Sequence, residues 1–144
     1  MSDCVVTVPM NFTWPGAPGL RGLDAWAAEG DLAGEPESGR EWYFTSYGTL
    51  PVFVPGDRLY IVCEGRLRGY APLVNVFYDE SKFRHGQAPI AFVRRGGAVA
   101  VTIPARIAGF RGWRRRWWDR QDELPFPDWR TADRRRGQRL EARG

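Results

Sequence analysis

The chain has 144 residues, 43% of them apolar and 14% aromatic, which is material for one core of ordinary size, while no apolar run reaches the ~18–20 residues of a membrane-crossing helix. Two cysteines without a CxxC spacing and a single histidine argue against a tetrahedral zinc site, and no basic stretch followed by an apolar one marks a signal peptide, so the expectation is a cytoplasmic protein with no metal or cofactor and no membrane partner. The net charge of +4 is uneven: residues 1–104 carry nine basic and eleven acidic side chains, residues 105–144 twelve Arg and six acids, which suits either a polyanionic partner or a solubilising tail.

Seventeen Gly and eleven Pro imply many turns and a β-rich fold. Residues 4–10 alternate as a first strand, limited near its end by Pro9. Residues 11–19 form a loop that carries Asn11, Phe12 and Trp14. A short helix is predicted over 24–29, with Asp24 as N-cap, Gly30 as terminator and Leu23, Trp26 and Ala27 on the packed face. Residues 31–39 read as an acidic surface loop and 40–47 as a dense aromatic strand, after which 51–54 lead into the centre of the chain.

That centre is a β-hairpin. Pro55-Gly56-Asp57 is a turn, residues 58–63 alternate as a strand, and 66–74 run back, with 75–78 as an extension. A two-residue loop at Glu64-Gly65 would pair Ile61 with Arg68 and mix apolar with charged residues on one face. A three-residue loop, Glu64 to Arg66 with Gly65 left-handed, pairs Cys63 with Leu67, Ile61 with Gly69 and Leu59 with Ala71. Polarity favours the longer loop, which leaves a dry face and a second face of Arg58, Tyr60, Val62, Arg68 and Tyr70 that is wet or turned toward a ligand.

Residues 79–87 are a polar loop, 90–94 a short strand, Gly96-Gly97 a turn and 98–103 another strand. Residues 107–118 fit either a helix or a strand; Gly109 and Gly112 each disfavour the helix by about 1 kcal/mol relative to Ala. The strand is preferred, with Arg111, Trp113, Arg115 and Trp117 on one face and Phe110, Gly112, Arg114, Arg116 and Trp118 on the other. Residues 125–129 are expected to form an extended aromatic segment lying back across a barrel, and 131–144 hold almost nothing apolar to bury. The organisation is one domain over 1–130 followed by an Arg-rich tail over 131–144, expected to be disordered.

The run Gly56-Asp57-Arg58-Leu59-Tyr60-Ile61-Val62, followed by Leu67-Arg68-Gly69-Tyr70 and preceded by a strand, a helix and an aromatic strand, resembles the PUA-like superfamily of PUA, ASCH, EVE and YTH domains over roughly residues 4–118. The ASCH motif GxKxxExR is absent, since Glu41, Phe44 and Ser46 stand where it needs Lys, Glu and Arg, and the EVE and YTH likeness is one of outline. The resemblance implies a mainly β (α+β) fold, a mixed and mostly antiparallel barrel with a short early helix, whose concave mouth binds RNA or a flipped or modified base.

Two groups of side chains fit such a ligand. Asn11, Trp14, Trp42, Phe44, Tyr70 and Trp113 are candidates for holding a base, since any base offers a π-face and Asn both donates and accepts; Tyr43 stands beside them. Their alternative is core or loop anchor. Arg66, Arg68, Arg111, Arg114, Arg115 and Arg116 are candidates for phosphates, interleaved with Trp113, Trp117 and Trp118. Their alternative is a solvated face balanced by Asp119, Asp122 and Glu123. No catalytic constellation is present, and His85 has no evident Ser, Cys or Asp partner. The expected partner is RNA or DNA, as a single strand or a flipped base; a small ASCH-like hydrolase of modified nucleosides and a protein-docking domain are the alternatives.

Overall fold

The computed structural model describes residues 3–26, 28, 42–46 (backbone only), 48–94 and 99–126. Among the described residues eight strands carry the fold: β1 (Cys4–Thr7), β2 (Trp42–Ser46), β3 (Arg58–Cys63), β4 (Arg66–Tyr78), β5 (Ile90–Arg94), β6 (Val101–Thr102), β7 (Trp113–Arg115) and β8 (Leu124–Pro125). Six of them form one mixed sheet in the order β2-β5-β4-β3-β1-β7, parallel only between β1 and β3, and β6 pairs with β8 in a small second ladder. The protein is mainly β.

The hairpin departs from its expected register in one place. Leu59 faces Ala71 and Ile61 faces Gly69, as the polarity argument requires, but the register then shifts and Val62 faces Leu67 and Cys63 faces Arg66. Arg68 is the extra residue of a β-bulge. The loop is therefore the two-residue Glu64-Gly65, both left-handed at φ 53° and 78°, as a tight hairpin turn demands. The bulge supplies the residue that the longer loop was to supply, so both faces stay sorted, with Leu67 moved to the face of Tyr60 and Val62.

Each face of the sheet is covered. On one, Cys4, Val6, Leu59, Ile61, Cys63, Ala71, Ile90 and Phe92 pack with Leu23 and Trp26 of the helical residues 23–26. The bond from Trp26 N–H to Gly22 C=O, 3.1 Å, makes Gly22 the capping position and sets Asp24 inside the first turn, two residues past the cap it was expected to be. Arg94, fully buried, lies 3.6 Å over the Trp26 ring and donates to the Trp26 carbonyl at 2.9 Å.

The second face is the expected wet one, and it is dry. Val5, Tyr60, Val62 and Leu67 are buried beneath Ile103, Ile107 and Trp118. These come from a strap, residues 99–126, that rounds the sheet. Val99 pairs with Tyr70, Ile107 N–H donates to Gly65 C=O, Phe110 N–H donates to Thr7 Oγ1, β7 joins β1, and Phe126 N–H returns to Ala100 C=O beside the β6–β8 ladder. An alternating strand with Arg and Tyr outward is thus completed by a later segment rather than by solvent.

The two ends of the sheet approach without closing. Trp113 Nε1 on β7 donates to the carbonyl of Thr49, just past β2, at 2.8 Å, and the Trp113 ring meets Phe92 at 6.4 Å. Among the described residues no ladder joins β2 to β7, so the sheet curls but is not a hydrogen-bonded barrel. The strand expected over 107–118 shrinks to β7 because Gly112 takes φ 74°, which ends the alternation and removes Arg111 from any row with Trp113 and Arg115. Gly30, the 31–39 loop, Glu41, Gly96-Gly97 and the 131–144 tail lie outside the described residues.

Candidate nucleic-acid interface

Two buried carboxylates hold the strap, and the surface they position is the candidate site. Asp3 precedes β1 and accepts from the Arg58 backbone N–H at 3.0 Å, from Arg116 Nε at 2.8 Å and from Arg120 through Nε at 2.9 Å and Nη2 at 2.7 Å. Burial alone would raise its carboxyl, yet the bonds from Arg120, Arg116 and the Arg58 N–H hold it below its ordinary value. Arg116 also reaches the Trp118 carbonyl. Glu123 accepts from the Tyr60 hydroxyl at 2.6 Å, Trp118 Nε1 at 2.9 Å and Arg58 Nη1 at 3.2 Å. Burial, then the bond to Glu123, pushes the Tyr60 phenol well above its usual range.

Between these anchors runs a ladder of rings. Phe110 meets Trp117 at 6.4 Å, Trp117 meets Trp118 at 5.0 Å, Trp118 meets Tyr60 at 5.1 Å and Tyr60 meets Tyr70 at 5.3 Å. Three contacts are edge-to-face, the geometry that ring quadrupoles favour. A guanidinium caps each end, Arg114 over Phe110 at 4.3 Å and Arg58 over Tyr70 at 4.0 Å. Most of the ladder is covered, but Trp117 is 52% exposed. Arg111, Arg114 and Arg115 are exposed on the same segment.

The expected site residues separate into groups. Arg114 and Arg115 reach solvent at β7, Arg111 just before it, whereas Arg116 is spent on Asp3. Arg66 and Arg68 both lie 5.1 Å over Phe126 at the hairpin tip, and Arg68 Nε also donates to the Cys63 carbonyl. Trp113 is turned into the core, and Tyr70 is half-buried under Arg58. Trp14 is buried, folded over Gly16 so closely that a Cβ there would come within 2.4 Å of its ring, and Asn11 is exposed. The side chains of Trp42, Tyr43 and Phe44 lie outside the described residues. Asp3 carried no signal in the sequence and Glu123 figured there only as a counter-charge, because Arg116 and Arg120 are remote from the one and Tyr60 and Arg58 from the other; the Trp117-Trp118 pair did carry one, since neighbours in an extended segment face opposite ways.

Beside the ladder the strap encloses an open groove of about 560 Å³. Ile103, Pro104, Ala105, Trp118 and Leu124 give it apolar walls, and Gln121 and Asp122 add polar groups. A second hollow, about 320 Å³, lies between Tyr78, Phe83 and Glu80 at the far end of β4. Both cysteines are buried, and burial, with Asp57 and Asp3 nearby, pushes the Cys4 thiol up to about 12, which makes it inert. Among the described residues no three His, Cys, Asp or Glu side chains cluster as a metal would need, and no helix is long and apolar enough to cross a membrane. No family model matches this chain, and comparison with curated proteins and with solved structures returns no significant match.

Proposed function

We propose that the protein binds single-stranded nucleic acid, or a base extruded from a duplex, on the strap surface around Trp117, Arg111, Arg114 and Arg115. The observation that carries this reading is the exposure of Trp117 within a ladder of packed rings. A large aromatic left 52% open costs burial energy, and its contacts with Trp118 and Phe110 fix it as a platform before any ligand arrives. Bases stack on such a ring whatever their sequence, and the exposed arginines beside it suit the phosphates between bases. The stacking role falls to Trp117 rather than to Trp113, which supports the fold instead. The same reading takes the curled sheet as a PUA-like barrel open along one seam, supported by the bond from Trp113 to Thr49.

The test is fluorescence anisotropy of labelled single-stranded RNA and DNA at low and raised salt. Binding should weaken with salt as counterions are released. Arg111→Ala with Arg115→Ala should lower affinity and flatten the salt slope, while Trp117→Ala should lower affinity and leave the slope unchanged. Absence of binding at low salt would overturn the proposal and leave Trp117 as a contact for another protein. Hydrolysis of a modified nucleoside has less support, since Asp3 and Glu123 each spend their oxygens on several donors.

A further inference from the structure

Building on the strap-surface reading above, we infer that the groove walled by Trp118 and edged by Asp122 is a nucleobase subsite that prefers guanine. A base is apolar on its two faces and polar along its edge, and the groove divides the same way. Ile103, Pro104, Ala105, Trp118 and Leu124 offer flat or apolar contact, the Trp118 Nε1 being spent on Glu123, while Gln121 and Asp122 are the polar side chains of the lining. Its volume of about 560 Å³ falls among those of small-ligand sites, and Leu124 at 49% exposure leaves apolar surface for a ligand to cover.

The occupant is fixed by what the polar side chains can do. An ionised Asp122 only accepts, so it selects an edge that donates. Guanine presents two adjacent donors, N1–H and the N2 amino group, which a carboxylate takes together; thymine and uracil present one N–H flanked by two carbonyls that a carboxylate repels. Gln121, which both donates and accepts, suits the neighbouring O6. The base belongs to a strand because the groove adjoins the proposed surface through a ring contact. Its wall Trp118 touches the exposed Trp117 at 5.0 Å, Trp117 reaches Phe110 at 6.4 Å, and Arg114 covers Phe110. Arg106, next in sequence to the groove-lining Ala105, is exposed.

The experiment compares two labelled DNA strands on the full chain, one all thymidine and one identical but for a single central guanosine, at low salt. The guanosine strand should bind about five- to a hundredfold more tightly, the discrimination of one bidentate base contact. Asp122→Asn should remove most of that preference without weakening the all-thymidine strand. Ala105→Phe, which fills the groove from an exposed position, should remove it while the all-thymidine affinity and salt slope stay in place. Equal binding of both strands by the wild type overturns the subsite and leaves the strap surface standing. A preference that survives both substitutions overturns it too, because guanine is then read elsewhere. If neither strand binds, the surface reading fails and the subsite falls with it.

Discussion

The Tyr60 hydroxyl donates to Glu123 Oε2 at 2.6 Å across 63 residues of chain, and this bond ties the centre of the sheet to the strap that covers it. Both groups are shielded, and Glu123 also accepts hydrogen bonds from Trp118 Nε1 and Arg58 Nη1. Tyr60→Phe removes one donor and leaves the other two, so it should cost about 1–2 kcal/mol. Glu123→Ala strands three donors at once and should cost more. Urea unfolding measures both, and an alanine variant no less stable than the phenylalanine variant would show that the carboxylate does not anchor the strap.

Asp3 gives the fold a defined acid sensitivity. Its folded carboxyl titrates below its ordinary value of 3.8, so its contribution is present in full above that pH and is lost as the pH falls through the folded value. Asp3→Asn should cost about 2–3 kcal/mol near neutrality, less than the ~3–5 of a fully buried pair because Arg116 and Arg120 keep one side in water. The gap between wild type and variant should shrink below pH 3.8. A gap that is unchanged from about pH 5 to about pH 2 would rule out the ion pair as its source.

Trp113 and Trp117 should behave oppositely. Trp113→Ala opens the core at the seam of the sheet and breaks the bond to Thr49; for a half-buried ring the cost should be about 2–3 kcal/mol, below the ~3–5 of full burial. Trp117→Ala should change stability by less than about 1 kcal/mol while lowering nucleic-acid affinity. Thermal unfolding of the two variants beside their binding curves decides it, and the assignment fails if Trp117 turns out to carry the stability.

Glu64 occupies a left-handed position that disfavours a side chain with Cβ. Glu64→Asn should therefore stabilise the hairpin by up to about 1 kcal/mol, since the contact to Arg68 that it forfeits is loose at 3.7 Å and half exposed. A fall in melting temperature would mean that the Glu64–Arg68 pair outweighs the backbone strain.

Local alternation made most strands legible: β3 and β5 occupy the residues that their patterns mark, and the expected Pro55-Gly56-Asp57 turn is present, closed by a bond from Val54 N–H to Asp57 Oδ2. Polarity sorted the hairpin faces at Leu59, Ile61 and Ala71, though not its tip, because a bulge at Arg68 and a longer loop satisfy the same pattern. The burial of Tyr60 was not legible. An Arg/Tyr face reads as solvent-exposed unless one knows that a carboxylate 63 residues away arrives to satisfy the hydroxyl. The candidate surface suffered the same blindness: strand parity joined Arg111, Trp113 and Arg115, and one left-handed residue at Gly112 regrouped them, turning Trp113 inward.

The pairing of β1 with β7, and of Asp3 with Arg116 and Arg120, has a consequence for synthesis on the ribosome. β1 emerges early and can dock on β3 once the hairpin is made, but its other edge and the Tyr60, Val62 and Leu67 surface stay bare until the strap has left the exit tunnel. The nascent chain therefore passes through a stage with an open sheet edge and an apolar face, the two features that recruit chaperones or invite misassembly. Because the closing contacts join residues more than 100 positions apart, the strap adds the costliest loop closure to the fold and raises its contact order, which disfavours rapid folding.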